Sequence, residues 1–419
     1  IKIKKPFFTF SENFLVSFAI QLATVPLTAY FFYEVSVWSM LINFFVLPII
    51  GVLLFLGLLG GFVGLLSVRA AGILFVPCHW ILVFYEKVCR LSVSLPGAVW
   101  ITGQPDWQKL LLFYLILGAV LFAMKQMKQR RGFVFIGCFM LLAVLHNPVK
   151  GFELDVLDVG QGDAVLIGQD GAYCLIDTGP SDAKGDLVRD LQLAGISKLD
   201  YLVLTHPHAD HTGGAREVLR NFAVGQLLVP PWDAQASGET ADWPRGLFDL
   251  AAEQGTDVIT AEDGTVYPLG SGTLTVLQGG ESELYDTDDS SAHVNNASLC
   301  TLFEAGNFRY LSTGDAESAA EQRLVDRYGK ALHATLFKAG HHGSSTSITE
   351  ALLQVVQPQA VAISCGLNND YGHPHARALQ RLIDAGAEIY RTDTMGTITF
   401  TWKNDTLSAA SADTLDAAA

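Results

Sequence analysis

Five apolar runs follow one another through the first 150 residues, at 14–33, 37–66, 72 to about 95, 110–124 and 133–145. Soluble cores seldom stack such runs back to back, so the pattern predicts bilayer-spanning helices, the last two short. This stretch holds 12 Lys and Arg against four acids (Glu12, Glu34, Glu86, Asp106), whereas the remainder holds 15 basic and 38 acidic residues, a net −23. Two kinds of protein share one chain, with residues 1–150 the membrane part. Basic residues gather at Lys2, Lys4 and Lys5, at Arg69, and at Lys125, Lys128, Arg130 and Arg131. Five spans with all three clusters in the cytoplasm satisfy the positive-inside rule and place residue 150 outside. Pro26, Pro48 and Pro77, with Gly57, Gly60, Gly61 and Gly64, fit broken or closely packed helices. The opening Ile-Lys-Ile-Lys-Lys carries neither Met nor a cleavable signal pattern and reads as a piece of a longer membrane protein.

From Gly151 the pattern changes to short β-rich runs interleaved with helices. Strands are expected at 152–159, 164–167, 173–177, 201–205, 273–277, 297–304, 308–313, 334–338, 360–364 and 396–402. Helices are expected at 186–194, 215–222, 316–328, 349–356 and 376–385. Sheets interleaved with surface helices in two similar halves predict a four-layer α/β sandwich over 151–405, with ligands on strand-end loops. The tail 406–419, rich in Ala, Ser, Thr and Asp, reads as disordered. The six cysteines show no paired spacing and read as buried thiols.

Within that second part, Leu202-Val-Leu-Thr-His-Pro-His-Ala-Asp-His-Thr-Gly-Gly214 runs a buried strand into three imidazoles and a carboxylate: His206, His208, Asp210 and His211. Nitrogen and oxygen donors without thiolate suit zinc, iron or manganese in an open catalytic site rather than a closed structural one. Further fragments end in the same chemistry. Asp177 follows an apolar run and can orient a histidine ligand; Asp315 follows another and can bridge two cations. His341 or His342 can give a proton to a leaving group, Ser344 can meet an anionic oxygen, and His373 supplies a terminal ligand to a second metal. His375, beyond Pro374, falls outside the coordinating set.

His206-x-His208-x-Asp210-His211 with Asp177 and Asp315 resembles the metallo-β-lactamase superfamily, whose αββα fold agrees with the layers above. Asp158-Val-Gly-Gln-Gly-Asp163, Asn296-Ala-Ser298, His341-His-Gly-Ser344 and Tyr371-Gly-His-Pro374 resemble the ComEC family, the DNA-internalisation channels of natural competence. Gln21-Leu-Ala-Thr-Val-Pro26 and the stretch 43–48 look like the end of the competence membrane domain. The resemblance implies that His206 and His208 hold one ion, Asp210, His211 and His373 another, with Asp315 bridging. It implies catalytic parts for Asp210, Asp177 and His342, and phosphate contacts for Gln161, Asp163, Asn296 and Ser344. The superfamily often adds one more histidine to the first metal; here Asn295 and Asn296 stand in that stretch, after His293, so either His293 completes the site or the first metal is under-coordinated. One or two divalent ions, zinc or manganese, are the implied cofactors.

The function implied is DNA uptake in natural transformation, through a multi-pass protein of the bacterial inner membrane whose residues 151–419 face outside. Its hydrolase domain would act as a metal-dependent nuclease on the non-transported strand, with His342 protonating the departing sugar oxygen. The charge of −23 opposes nucleic-acid binding, and the basic residues there are scattered. Two alternatives stay open: a non-catalytic binding module on a transport protein, and a hydrolase of a small ester or phosphodiester. DNA, the lipid bilayer, other uptake machinery and a second copy of the chain are the partners expected.

Overall fold

A computed structural model describes residues 10–95, 97–126, 131–145, 151–231, 243–279 and 291–411. Lys2, Lys4, Lys5, Lys128 and Arg130 lie outside those residues. The chain divides into two units, Ile1–Asn147 with Gln192–Gly195 and Pro148–Leu191 with Ile196–Ala419.

The first unit contains α1 (Phe10–Phe32), β1 (Glu34–Ser36), α2 (Ser39–Gly64), α3 (Val68–Val93), β2 (Val99–Ile101), α4 (Trp107–Gln126) and α5 (Arg131–Leu145). Each apolar run of the sequence is thus a helix. Two are long and apolar enough to cross a membrane, over Leu41–Gly64 and Val68–Val93; the apolar stretches of the others are shorter, at Phe18–Phe32, Trp107–Phe122 and Ile136–Leu145. Ser67 starts α3 by accepting the Ala70 N–H. The expectation of broken helices is not met: α1 continues through Pro26 and α3 through Pro77. Close packing is present instead, because a Cβ on Gly60 of α2 would lie 2.8 Å from the Phe75 ring of α3. Phe113 and Leu110 of α4 pack with Val144 of α5, while Val25 and Ala29 of α1 pack with Leu145.

The second unit begins with β3 (Phe152–Val156), β4 (Val165–Gln169), β5 (Ala172–Ile176), α6 (Lys184–Leu193), β6 (Lys198–Val203), α7 (Ala209–Thr212), α8 (Ala215–Asn221) and β7 (Ala223–Val229). It continues with α9 (Leu247–Glu253), β8 (Asp257–Thr260), β9 (Val266–Leu269), β10 (Gly272–Gln278), α10 (Ser291–Asn296), β11 (Cys300–Ala305), β12 (Phe308–Ser312) and α11 (Ser318–Tyr328). It closes with β13 (Leu336–Lys338), α12 (Glu350–Val356), β14 (Ala360–Ile363), α13 (Ala376–Asp384), β15 (Glu388–Arg391), α14 (Thr392–Met395), β16 (Ile398–Lys403) and β17 (Thr406–Ser411).

These strands form an eight-stranded sheet, β17-β16-β3-β4-β5-β6-β7-β8, and a seven-stranded sheet, β15-β14-β13-β12-β11-β10-β9. In each sheet four strands run parallel, β5 to β8 and β12 to β15, and antiparallel hairpins extend one side. Left-handed pairs make two of the hairpin turns: Asp170 and Gly171 at φ 52° and 85°, Asn404 and Asp405 at 51° and 56°. The second of these corrects the reading of the tail, since 406–411 pair with β16 from Ile398↔Ser411 to Lys403↔Thr406. Small residues suffice there because an edge strand is held by its backbone ladder. Residues 412–419 lie outside those described.

Inner faces of the two sheets meet in one core, where Val165, Ile167, Ile176, Tyr201 and Val203 join Phe303, Phe308, Tyr310 and Leu336. Strand alternation turns Leu166, Leu175, Leu202 and Leu227 the other way, and they are buried too, as are Leu187 of α6, Leu219 of α8 and Leu247 of α9. Leu324, Leu352 and Leu382 of α11, α12 and α13 cover the outer face of the second sheet, against Leu311, Phe337 and Val361. The result is the four-layer αββα sandwich. Parallel strands covered on both faces explain the unbroken apolar run before His206.

Candidate metal centre

Donor residues collect where strands of both sheets end. β5 ends into Asp177, β6 into His206–His211, β12 into Asp315, β13 into His341 and His342, and β14 into the loop bearing His373. Such strand ends are where open sheets bind ligands. Two glycines of the His-x-His-x-Asp-His-Thr-Gly-Gly run are required by space: a Cβ on Gly213 would meet the Ser181 nitrogen at 2.3 Å, and one on Gly214 the Thr178 carbonyl at 2.5 Å. The loop after β6 is therefore pressed onto the loop after β5.

Asp177 organises the first half of the centre. It sits at φ 61°, a conformation that Asp tolerates better than most residues, and is 1% exposed. Its Oδ1 accepts the Thr205 N–H at 2.8 Å, and its Oδ2 takes the Thr205 hydroxyl at 2.7 Å and lies 2.8 Å from His211 Nδ1. With its proton given to Asp177, Thr205 Oγ1 is left as acceptor for His206 Nδ1 at 3.1 Å. Both imidazoles thus carry a hydrogen on Nδ1, which leaves Nε2 as the edge each can offer to a cation. His206 Nε2 lies 3.0 Å from His208 Nδ1 and 3.9 Å from Asp315 Oδ2; His211 Nε2 lies 3.3 Å from Asp315 Oδ2 and 4.0 Å from Asp210 Oδ2.

His342 completes the same arrangement from the second sheet. Its Nδ1 donates to the Ser364 carbonyl at 3.0 Å, and its Nε2 lies 3.3 Å from Asp210 Oδ2 and 3.5 Å from Asp315 Oδ2. The backbone there is held left-handed, at φ 49° for His341 and 53° for His342. Strain of this kind persists only where surrounding contacts impose it. Here Glu321, itself buried, accepts the N–H groups of Ile348 and Thr349 at 2.6 and 2.7 Å. Arg381 donates to the carbonyls of Ser345, Ser347 and Ile348.

Asp163, His211, Asp315 and His342 offer ligand atoms all within 4.8 Å of one another. Hydrogen placement separates them. Asp210 and Asp315 face the Nε2 edges, whereas Asp163 faces the Nδ1 edges, at 3.3 Å from His342 and 3.8 Å from His211. Asp163 also pairs with the buried ammonium of Lys338 and is 2% exposed. The expected phosphate contact of Asp163 therefore has no place here: the residue lies behind the donors, away from solvent.

Charge in the centre follows from this packing. Burial disfavours a proton on His211, but Asp315, Asp177 and Asp210 outweigh it and hold the imidazolium well above its ordinary range. Burial opposes a charge on His342 too, yet Asp315 and Asp163 push it up to about 10. His211 and His342 in turn hold Asp315 well below the carboxylate range, against its burial. His206 goes the other way, lowered by burial and by the His211 charge. His211 Nε2, His342 Nε2 and Asp315 Oδ1 are buried without a hydrogen-bond partner. Two imidazole Nε2 edges facing the carboxylates of Asp210 and Asp315 fit a divalent cation, which would take the place of the protons these rings otherwise carry.

The remaining expected residues fall outside this cluster. His373 is half-buried, its ring centre 6.0 Å from that of His342 and 5.5 Å from that of His341. Its Nδ1 lies 3.4 Å from Gln161 Nε2, and Gln161 Oε1 accepts the Gly366 N–H at 3.1 Å, so Gln161 ties the loop after β3 to the loop after β14. Ser344 is buried and bonded to Thr346 Oγ1 at 3.0 Å; Asn296 Oδ1 accepts the Ala320 N–H at 3.0 Å, fastening α10 to α11. His293 Nε2 has no hydrogen-bond partner, and no ring contact or ion pair joins it to the cluster among the described residues. Asn295 is buried and donates to Glu317 Oε1 at 3.2 Å. Residues that sequence reasoning passed over are Lys338, Thr205 and Glu317, whose carboxylate lies 3.4 Å from His341 Nδ1. Lys338 alone carried a signal, as the one charged residue inside an apolar run before His341.

Residues 157–366, half of the chain, match the metallo-beta-lactamase superfamily, and the chain belongs to it. Residues 2–127 match the competence protein family. The chain thus joins a stretch similar to the competence protein family to a metallo-beta-lactamase domain. ComE operon protein 3 of Bacillus subtilis is 29% identical over 416 residues, covering 93% of this chain and 52% of that protein. Recombination protein 2 of Haemophilus influenzae is 27% identical over 450 residues, covering 96% and 51%. The chain spans about half the length of these relatives. Among solved structures, Igni18, a metallo hydrolase of Ignicoccus hospitalis, superposes with a TM-score of 0.39 at 15% identity, over 60% of this chain and 100% of that one.

Proposed function

We propose that this chain is part of a DNA-uptake channel of natural transformation and that its second unit is a metal-dependent phosphodiesterase acting on the strand that is not transported. The continuous set of contacts through His208, His206, Asp315, His211, Asp210 and His342, in a chain that also matches the competence family, carries the reading. His206 Nε2 and His208 Nδ1 would hold one cation, Asp210, His211 Nε2 and His342 Nε2 the other, and Asp315 would face both. A bound divalent ion supplies Lewis acidity and a water nucleophile of lowered pKa. Asp177 fixes the His211 and His206 tautomers, and Asp163 with Ser364 fixes that of His342.

In this assignment His342 leaves the role of proton donor, because its Nε2 is directed at two carboxylates inside the cluster. His341, partly exposed and backed by Glu317, takes that role for the leaving oxygen. His373 passes from ligand to substrate contact. Burial and the neighbouring His342 bring His373 down to about 4, so at neutral pH it is an uncharged hydrogen-bond donor through Nε2. The proposed topology is five spans in the inner membrane, with residues 151–419 outside. It rests on the five helices and on the exposed Arg69 between the two longest.

The full chain, purified in detergent micelles, tests this with end-labelled single- and double-stranded DNA in manganese, zinc or chelator. Cleavage is expected only with added metal, and is expected to vanish in His208→Ala and Asp315→Asn. Cleavage unchanged by either substitution would remove the site assignment. A second reading, a binding module without catalysis, draws on the surplus of acids; metal binding without cleavage of any phosphodiester would favour it.

A further inference from the structure

The loop between β14 and α13 carries side chains that the metal centre does not use. Leu367 is 70% exposed and Tyr371 67% exposed, more than any other large apolar residue described in the second unit. Both stand on the loop that also carries His373.

The loop that presents them is nonetheless tightly made. Asn369 Nδ2 donates to the carbonyls of Gly366 and His373 at 2.9 and 2.6 Å, and its Oδ1 accepts the His373 N–H at 3.0 Å. His375 Nδ1 accepts the Ser345 N–H at 2.8 Å, which places the ring's hydrogen on Nε2, 3.2 Å from the Tyr371 carbonyl. His375 therefore fastens Tyr371 to the turn that bears His341 and His342. The Tyr371 ring lies nearly parallel to His373, at 21° with centroids 5.8 Å apart. An aromatic face is thus fixed in advance, with one imidazole between it and the donors.

Charge narrows what that face can receive. Residues 151–419 hold 38 acids against 15 bases, so a polyanion gains little there from its phosphates. Stacking on an aromatic ring is independent of charge and of base identity, and is worth about 1–3 kcal/mol per base. Bases in a duplex are already stacked and must first be unpaired.

We propose that Tyr371, backed by His373 and flanked by Leu367, is the platform on which an unpaired nucleobase stacks, so that the site takes single-stranded nucleic acid and seats its backbone beside the metal donors. This rests on the phosphodiesterase reading above. The test is fluorescence anisotropy with the full chain in detergent micelles and chelator, using a dye-labelled oligothymidine and an abasic oligomer of equal length and charge. The unmodified chain is expected to bind the oligothymidine about 5- to 150-fold more tightly than the abasic oligomer. Tyr371→Ala should erase that ratio and Tyr371→Trp should keep it. Equal affinities for the two oligomers in the unmodified chain overturn the platform, as does a ratio unaltered in a folded Tyr371→Ala. If metal-dependent DNA cleavage persists alongside equal affinities, the phosphodiesterase reading survives alone; loss of both binding and cleavage ends both.

Discussion

His342 and His373 differ in what the protein has done with each ring. His342 has committed Nδ1 to the Ser364 carbonyl and turned Nε2 toward Asp210 and Asp315, whereas His373 has Nδ1 against Gln161 and its ring between those of Tyr371 and His342. His342→Gln is therefore expected to lower bound metal, and His373→Gln to leave it, as read by elemental mass spectrometry on the purified chain. Because His211 and His342 are held protonated, a cation must displace their protons, and affinity should rise about tenfold per pH unit for each proton displaced below the raised pKa values. Calorimetry in buffers of different ionisation enthalpy between pH 6 and 9 measures that release. The sign reverses for the metal-free fold: the contribution of His342 is whole below the ordinary imidazole range and fades as pH climbs toward about 10. Lys338→Met strands the Asp163 carboxylate and is expected to cost about 3–5 kcal/mol in denaturant unfolding. The donor types and their strand-end positions were legible in the sequence, since each follows an apolar run. Ring orientation was not: adjacent histidines at 341 and 342 are equivalent in a linear string, and only the left-handed turn separates the inward ring from the outward one.

Among elements, the turn after β13 depends on two charges from distant helices. Glu321 of α11 and Arg381 of α13 hold Ser345–Thr349 through five backbone groups. Glu321→Ala leaves two buried N–H groups without an acceptor, about 1–3 kcal/mol each, and should weaken metal binding although Glu321 touches no donor. Hydrogen exchange over 343–350 would show whether the turn has loosened. In the first unit, Gly60→Leu should force α2 from α3 at Phe75, detectable as faster proteolysis between them. Helix positions were legible here because apolar runs of this length have one solution. Strands β7, β8, β9, β15 and β17 were not. β8 and β15 are four residues long, too short for alternation to register, and β17 is built mostly of small residues, with Leu407 and Ala409 against the core and the Asn404–Asp405 turn before it.

For the molecule as a whole, the imbalance of charge predicts shallow salt dependence. A nuclease gripping phosphates with many cations loses affinity steeply as salt rises, with a slope near −0.7 for each phosphate neutralised on a single strand. With 15 bases scattered among 38 acids, the slope of log affinity against log salt should lie no steeper than about −2, as a salt titration of oligothymidine binding would show. The two-unit division and the layered sandwich followed from composition and periodicity; which strands share a sheet did not, because β3 pairs with β16 across some 240 residues. The two sheets also set a timetable. Four candidate ligands stand on the first sheet and two on the second, so the centre comes into being only when the two sheets have packed together. Ion capture then follows the packing of the sheets, and a chain folded on one sheet alone would hold only part of the donor set.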